Sequence, residues 1–209
     1  MGIKERKERE KERRRQQIIV AAKRIFSAKG FNKATMEDIA EEAEISPGTI
    51  YIYFKNKDEL YASLSIRILQ HLNIRLEHVK NQNNLNDEQR IASLKDALYD
   101  IYDFDPLILI NLFHLQSSES LKNLSPGLLS EIKRLSQSSL KIMSDIFSEG
   151  ISTGVFIKAN PNALADIFWA LFSGVILWEE SKKIIDDKKD FLKPTLDIAF
   201  DIFRQGITK

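Results

Sequence analysis

The side chains able to do covalent or acid–base chemistry are few and scattered. His71, His78 and His114 are the only three imidazoles, and the chain has no cysteine, which excludes disulfides, thiolate metal sites and thiol nucleophiles. His71 and His78 stand seven residues apart, too wide a gap for both to hold one ion unaided. No acid or nucleophile pattern surrounds any of the three, and the eight glycines are scattered and form no phosphate-cradling loop. No catalytic residue, no metal site and no cofactor are expected. Non-covalent chemistry is concentrated elsewhere, in Ser46-Pro47-Gly48-Thr49-Ile50-Tyr51-Ile52-Tyr53-Phe54, with Lys55 and Lys57 just beyond. Hydroxyls, phenols, amines and bulky apolar groups alternate there, the mixture of a contact surface.

The elements around that stretch decide how it is presented. By composition, residues 49–54 read as a strand, being β-branched and aromatic throughout. Everything on either side is periodic in the helical sense. Residues 17–29 carry Ile18, Ile19, Ala22, Ile25 and Phe26 on one stripe and end at Gly30. Thr35 precedes Glu37 and Asp38, a capping residue followed by acids. Ser46-Pro47 is a second start signal, cap then proline, and Asn56 a third. Residues 57–80 space Leu60, Leu64, Ile68, Leu72 and Leu76 regularly, and a polar break at 81–86 follows. Further helices are expected at about 87–103, 106–118, 126–150, 161–183 and 190–206. A lone strand among helices has no partner for its backbone hydrogen bonds, so residues 47–54 are read as a helix. Ile50 and Phe54, four apart, then share the inward face. Gly48, Thr49, Tyr51 and Ile52 are left outside. Two short helices joined by a tight turn make a helix-turn-helix.

The pattern Thr35-x-x-x-Ile39-Ala40-x-x-Ala43-x-Ile45-Ser46-x-Gly48-x-Ile50-Tyr51-x-Tyr53-Phe54-x-x-Lys57-x-x-Leu60 resembles the DNA-binding domain of the TetR family (AcrR-like) of transcriptional regulators. The resemblance covers about residues 13–60; residues 61–209 match only as an all-helical region of similar length. It implies an all-α chain: a helix-turn-helix DNA-binding domain with its basic arm over 1–60, then a helical ligand-binding and dimerisation domain over 61–209. It implies a homodimer on a pseudo-palindromic double-stranded operator, released by a small ligand. Ser46 would cap the recognition helix and Gly48 would allow close backbone approach. Pro47, Thr49, Tyr51, Tyr53 and Lys55 would lie at the DNA, with Lys57 and Thr35 on phosphates and Ile52 against a thymine methyl. Glu44 departs from the pattern, since that turn position often holds glycine, and a glutamate is costlier there if φ is positive. A ligand-independent or activating regulator, and a helical interaction protein that leaves DNA alone, are the other readings.

The C-terminal region carries two expectations. Residues 163–178, ALADIFWALFSGVILW, are apolar nearly all round, as in a helix shared between a core and an interface. Phe168, Phe172, Val175, Ile176, Ala199 and Phe203 are expected at the dimer interface. Tyr99, Tyr102, Phe104, Phe113, His114, Phe147 and Trp169 are candidates to line a pocket for an apolar or amphipathic ligand. The longest uncharged run, residues 167–178, is too short to span a bilayer, and the first residues lack the apolar core of a signal peptide. No membrane partner is expected, and the chain is expected in the cytoplasm. The formal net charge of +1 hides an asymmetry: residues 1–60 hold fourteen Lys+Arg against eleven Asp+Glu, and residues 1–15 eight against four. Such an arm suits a phosphate backbone, or else a salt-bridged solvated helix.

Overall fold

The computed structural model describes residues 2–117, 119–183 and 191–209, without the side chains of Ile3, His114, Gln116, Ser117, Glu119, Ser120 and Lys183. Among these residues the chain forms nine α-helices: α1 (Ile3–Lys33), α2 (Met36–Glu42), α3 (Pro47–Tyr53), α4 (Lys57–Lys80), α5 (Asp87–Phe104), α6 (Pro106–Ser117), α7 (Pro126–Ser152), α8 (Pro161–Lys183) and α9 (Leu192–Ile207), with a 3-10 turn at Glu119–Asn123. The only extended pairing among them is a single antiparallel bridge between Phe156 and Thr208. The strand-like residues 49–53 are helical, and Phe54 leaves α3 in an extended conformation.

The helix starts follow the capping chemistry. Thr35 accepts from the Asp38 amide, while the Asp38 carboxylate accepts from the Thr35 amide. Ser46 Oγ accepts from the Thr49 amide, and Asn56 Oδ1 from the Glu59 amide. Each cap satisfies donors that would otherwise be orphaned. Gly30 breaks α1 with a φ of 72°.

The chain divides into two compact units. The first comprises residues 1–67 together with 115–130; the second comprises 68–114 and 131–209. The division from sequence, at residue 60, gave no hint that residues 115–130 belong with the helix-turn-helix. In the first unit, Ile18, Ala22 and Phe26 of α1 are buried with Ile39 and Ala40 of α2, Ile50 of α3, and Leu60 and Leu64 of α4. Phe26, Phe31 and Tyr61 form an aromatic triad with centroids 4.5–5.8 Å apart. Burial there pushes the Tyr61 phenol up to about 12, so it acts as a core ring. In the second unit, Phe147 sits among Phe156, Phe168 and Phe203 at 5.8–6.4 Å, and Phe168 lies 4.5 Å from Phe200. Fully burying each such side chain contributes roughly 1.5–3 kcal/mol, which makes this cluster the main anchor between α7, α8 and α9.

Candidate nucleic-acid interface

The turn between α2 and α3 sets the presentation of the candidate site. The Glu44 amide donates to Glu41 O at 3.0 Å, and the Ile45 amide donates to Ala40 O at 3.0 Å. These two bonds are the paired closure of a helix C-terminus through one left-handed residue. That residue is Glu44, with φ 55°, so the costlier geometry raised by the sequence is present. From there Ser46 restarts the chain as α3.

Ile50 is fully buried and Phe54 nearly so, and these two fasten α3. The opposite side is open. Ile52 is 73% exposed and Tyr51 49%, Pro47 and Gly48 are exposed, and Thr49 and Tyr53 are partly so. Thr49 Oγ1 also lies 2.7 Å from Ser46 Oγ. Gly48 is a helical glycine whose missing Cβ would meet only Ser46 Oγ, at 4.0 Å. Nothing inside the protein requires glycine there. A solvated helix would carry Lys and Glu on such a face; this one carries two tyrosines, an isoleucine and a threonine. The structure therefore brings Ser46 through Tyr53 together on one short helix, with Lys55 exposed at its end.

Two expected contact residues are engaged otherwise. The Lys57 ammonium donates to Phe31 O at 2.7 Å and Ala34 O at 2.9 Å, and lies 4.5 Å from the Phe31 ring centroid. It caps the end of α1 and is turned from the phosphate role. At Thr35 the amide expected to bind an anion is already occupied by the Asp38 carboxylate, which also pairs with Lys29 at 2.8 Å. Those contacts hold the Asp38 carboxyl below its usual range, the Lys29 bond first. Sequence reasoning missed Arg15, which lies over Phe54 with its guanidinium carbon 5.1 Å from the ring centroid and donates to Ser63 Oγ. It missed Glu59 as well. This buried carboxylate accepts from the Lys55 amide at 3.0 Å and the Ser125 amide at 2.9 Å, fastening the start of α7 beside the recognition helix. No pairing across 66 residues was readable from local pattern.

In the second unit the interface expectation is corrected. Phe168, Phe172 and Ile176 are 0% exposed and Phe203 8%, so they fill the protomer's own core. Val175 and Ala199 are partly exposed. The outward apolar face instead carries Ile167 and Trp178 on α8 and Ile198 and Ile202 on α9, 50–65% exposed, with Ala170 and Gly174 between them. The spacing 167, 170, 171, 174, 175, 178 is one helical stripe, one position off the stripe that sequence selected. By length and composition α8 also qualifies as a membrane span over Pro161–Lys182, with a mean hydropathy of 1.3, although its uncharged run alone is short.

The pocket candidates do not gather into one site. Phe104 is 55% exposed and stacks on His71 at 4.6 Å. Phe147 belongs to the aromatic core. Phe113 and Trp169 do meet, at 5.6 Å. Tyr99 lies under the Lys193 ammonium at 5.6 Å, and Tyr102 hydroxyl donates to Glu180 at 3.5 Å. The side chain of His114 lies outside the described residues. A cleft of about 390 Å³ between α7 and α8 uses none of them; it is lined by Lys141, Ser144, Asp145, Asn162 and Asp166 among others.

Residues 18–64 match the family model described as bacterial regulatory proteins, tetR family. The chain is 33% identical over 109 residues to an uncharacterized HTH-type transcriptional regulator of Haemophilus influenzae, covering 52% of this chain and 58% of that relative. It is 25% identical over 194 residues to the fatty acid metabolism regulator protein of Bacillus subtilis, covering 91% and 94%. The solved structure of the Bacillus subtilis regulator FadR in complex with stearoyl-CoA superposes with a TM-score of 0.69 at 21% identity, covering 92% of this chain and 98% of that one; at that identity the likeness is one of fold. With its helix-turn-helix matched by the family model and its remaining helices sharing the fold of such regulators, this chain belongs to the TetR family and is a transcriptional regulator, not an enzyme.

Proposed function

We propose that this protein is a ligand-released repressor that binds a pseudo-palindromic operator as a homodimer, with α3 in the major groove. The exposed face of α3 carries the reading. Gly48 lets the backbone approach the DNA, Pro47, Thr49, Tyr51, Tyr53 and Lys55 meet phosphates or base edges, and Ile52 packs on a thymine methyl. Ser46 holds the helix start. Thr35 and Lys57 act behind this surface, holding the ends of helices that position it.

The homodimer forms through the apolar face of α8 and α9, centred on Ile167, Gly174, Trp178, Ile198 and Ile202. Small residues between large ones allow close helix approach, and a self-complementary patch is what a two-fold interface requires. Asp166 sits inside the apolar stretch of α8, which favours a protein partner over lipid for this face. Two α3 helices then lie about 34–36 Å apart, one operator turn. The ligand is amphipathic, of the long-chain acyl class. The Bacillus subtilis neighbour was solved with stearoyl-CoA, and Phe113 and Trp169 supply an apolar meeting point here. Ligand binding shifts α4, which runs unbroken from Lys57 to Lys80, and DNA affinity falls by the ligand's differential affinity for the two states. A regulator of chromosomal DNA works in the cytoplasm.

Footprinting on the DNA upstream of its own gene tests the reading. Protection of an inverted repeat, lifted by oleoyl- or stearoyl-CoA, is expected. No protected repeat at moderate salt would overturn DNA binding; protection that ignores acyl-CoA would leave a ligand-independent regulator.

A further inference from the structure

α1 begins well before it has anything to pack on. Ile18 is its first fully buried residue, so residues 3–17 form an extension of about 22 Å at 1.5 Å per residue. A helix that is polar all round needs internal pairing or an outside partner. The acids are largely accounted for internally. Glu5 accepts from the Gly2 amide, Glu10 pairs with Arg13 at 2.6 Å, and Glu12 accepts from Gln16 at 2.7 Å. Lys4, Lys7 and Lys11 are exposed, and among the described residues their ammonium groups make no bond or ion pair. Spaced three and four apart, they share one face. At the inner end of that face, Lys11 and Arg15 line a groove of about 420 Å³ whose other wall is Ile52 and Tyr53 of α3. The basic edge thus runs directly off the exposed recognition surface.

We infer that the α1 extension is a second DNA contact, with Lys11, Lys7 and Lys4 lying along the phosphates that flank each half-site. This rests on the DNA-binding reading above and adds to it a footprint wider than α3 reaches. Lys4 to Lys11 spans about 10 Å, and each strand offers a phosphate every ~3.4 Å of helix axis, so three contacts fit. Glu8 and Glu12 on the groove's other edge keep the arm from gripping the duplex along its whole circumference. Phosphates carry no sequence information, so the contribution is affinity and salt dependence without a change in the preferred repeat.

The test compares the full-length protein with the triple variant Lys4→Gln, Lys7→Gln, Lys11→Gln on an upstream duplex that the wild type protects. Glutamine is a good helix former, and unchanged far-UV ellipticity confirms the fold. Each lost phosphate contact removes about 0.9 from the slope of log K against log salt. Three lost contacts make the wild-type advantage ~40-fold larger at 50 mM than at 200 mM salt. Trimming the duplex to the repeat alone should weaken the wild type and leave the variant unmoved. Glu8→Gln should tighten binding several-fold at low salt. Equal slopes for wild type and triple variant overturn the arm contact while DNA binding stands. A wild type that binds no upstream duplex overturns both.

Discussion

Glu44 offers the most direct test of how the helix-turn-helix is built. It occupies the one left-handed position of the α2–α3 turn, with φ 55°, where an L-residue costs about 1–2 kcal/mol relative to glycine. Glycine returns part of that through its greater freedom in the unfolded chain, about 0.5–1 kcal/mol. Nothing else is lost on substitution: Glu44 is exposed, and its side chain makes no hydrogen bond or ion pair among the described residues. Its charge stands near Glu41 and Glu42 at the C-terminal end of α2, whose last turn has no basic residue, the unfavourable end for an acid. Glu44→Gly should therefore stabilise the protein by about 1 kcal/mol, and raise Tm by roughly 2–4 °C for a chain of this size. Glu44→Gln, which removes the charge and keeps the φ penalty, should recover only a few tenths. Glu44→Asn should fall between them, because asparagine tolerates this region better. Thermal unfolding by circular dichroism ranks the three. Hydrogen exchange at the Glu44 and Ile45 amides localises the gain to the turn. If glycine gains no more than glutamine, backbone strain is not stored at Glu44 and the account of the turn is wrong.

Three further outcomes follow from the same geometry. Gly48→Ala should leave thermal stability equal or higher by up to ~1 kcal/mol, since alanine is the better helix former. Operator affinity in a gel shift should nevertheless drop at least tenfold, if a DNA backbone fills the open space beside residue 48. Trp178→Glu and Ile202→Glu should each give a folded monomer in sedimentation, whereas Phe172→Glu should unfold the second unit by placing a charge in the core; a folded Phe172→Glu monomer would contradict the burial. Burial raises the Glu59 carboxyl, but the Lys55 amide and the Ser125 hydroxyl and amide outweigh it, and its pKa in the folded state lies below the ordinary 4.5. Because the folded value is the lower one, the stabilisation is complete above about pH 5 and is lost as pH falls through the folded value. Wild type and Glu59→Gln should differ in urea midpoint at pH 7 and converge in acid; a constant gap would remove the carboxylate as the cause.

The parts of this protein legible in sequence are those fixed by local rules. Ser46-Pro47, Thr35 and Asn56 mark helix starts because a cap acts within three residues of itself. The TIYIYF stretch needed more. Its propensity points to a strand, and only the lack of any partner strand, with Ile50 and Phe54 four apart, forces the helix. The C-terminal domain shows where the method loses resolution. On α8 both faces are apolar, so hydropathy identifies a shared helix without saying which face looks inward. Phe168, Phe172 and Ile176 are larger and more contiguous than Ile167, Gly174 and Trp178, and that bulk is what suits them to the core formed with α7 and α9. A helix with two apolar faces gives the larger side chains to its own core first, because that core must close before any dimer can form.

The same reasoning bears on Lys57. A lysine just after a recognition helix invites a phosphate contact, but its ammonium is held by the carbonyls of Phe31 and Ala34. Those acceptors exist because Gly30 breaks α1 and leaves the following turn with unsatisfied oxygens, which a cation near a helix C-terminus stabilises. Lys57 therefore ties α1 to the start of α4, and its effect on DNA is through the angle of that joint. Lys57→Gln should lower stability by roughly 1–2 kcal/mol, the scale of hydrogen bonds from a charged donor at a half-buried site. The salt slope of operator binding should be unchanged, since no phosphate contact is lost. A fall of about 0.9 in that slope per subunit would mean instead that Lys57 leaves Phe31 and Ala34 on binding and reaches the backbone.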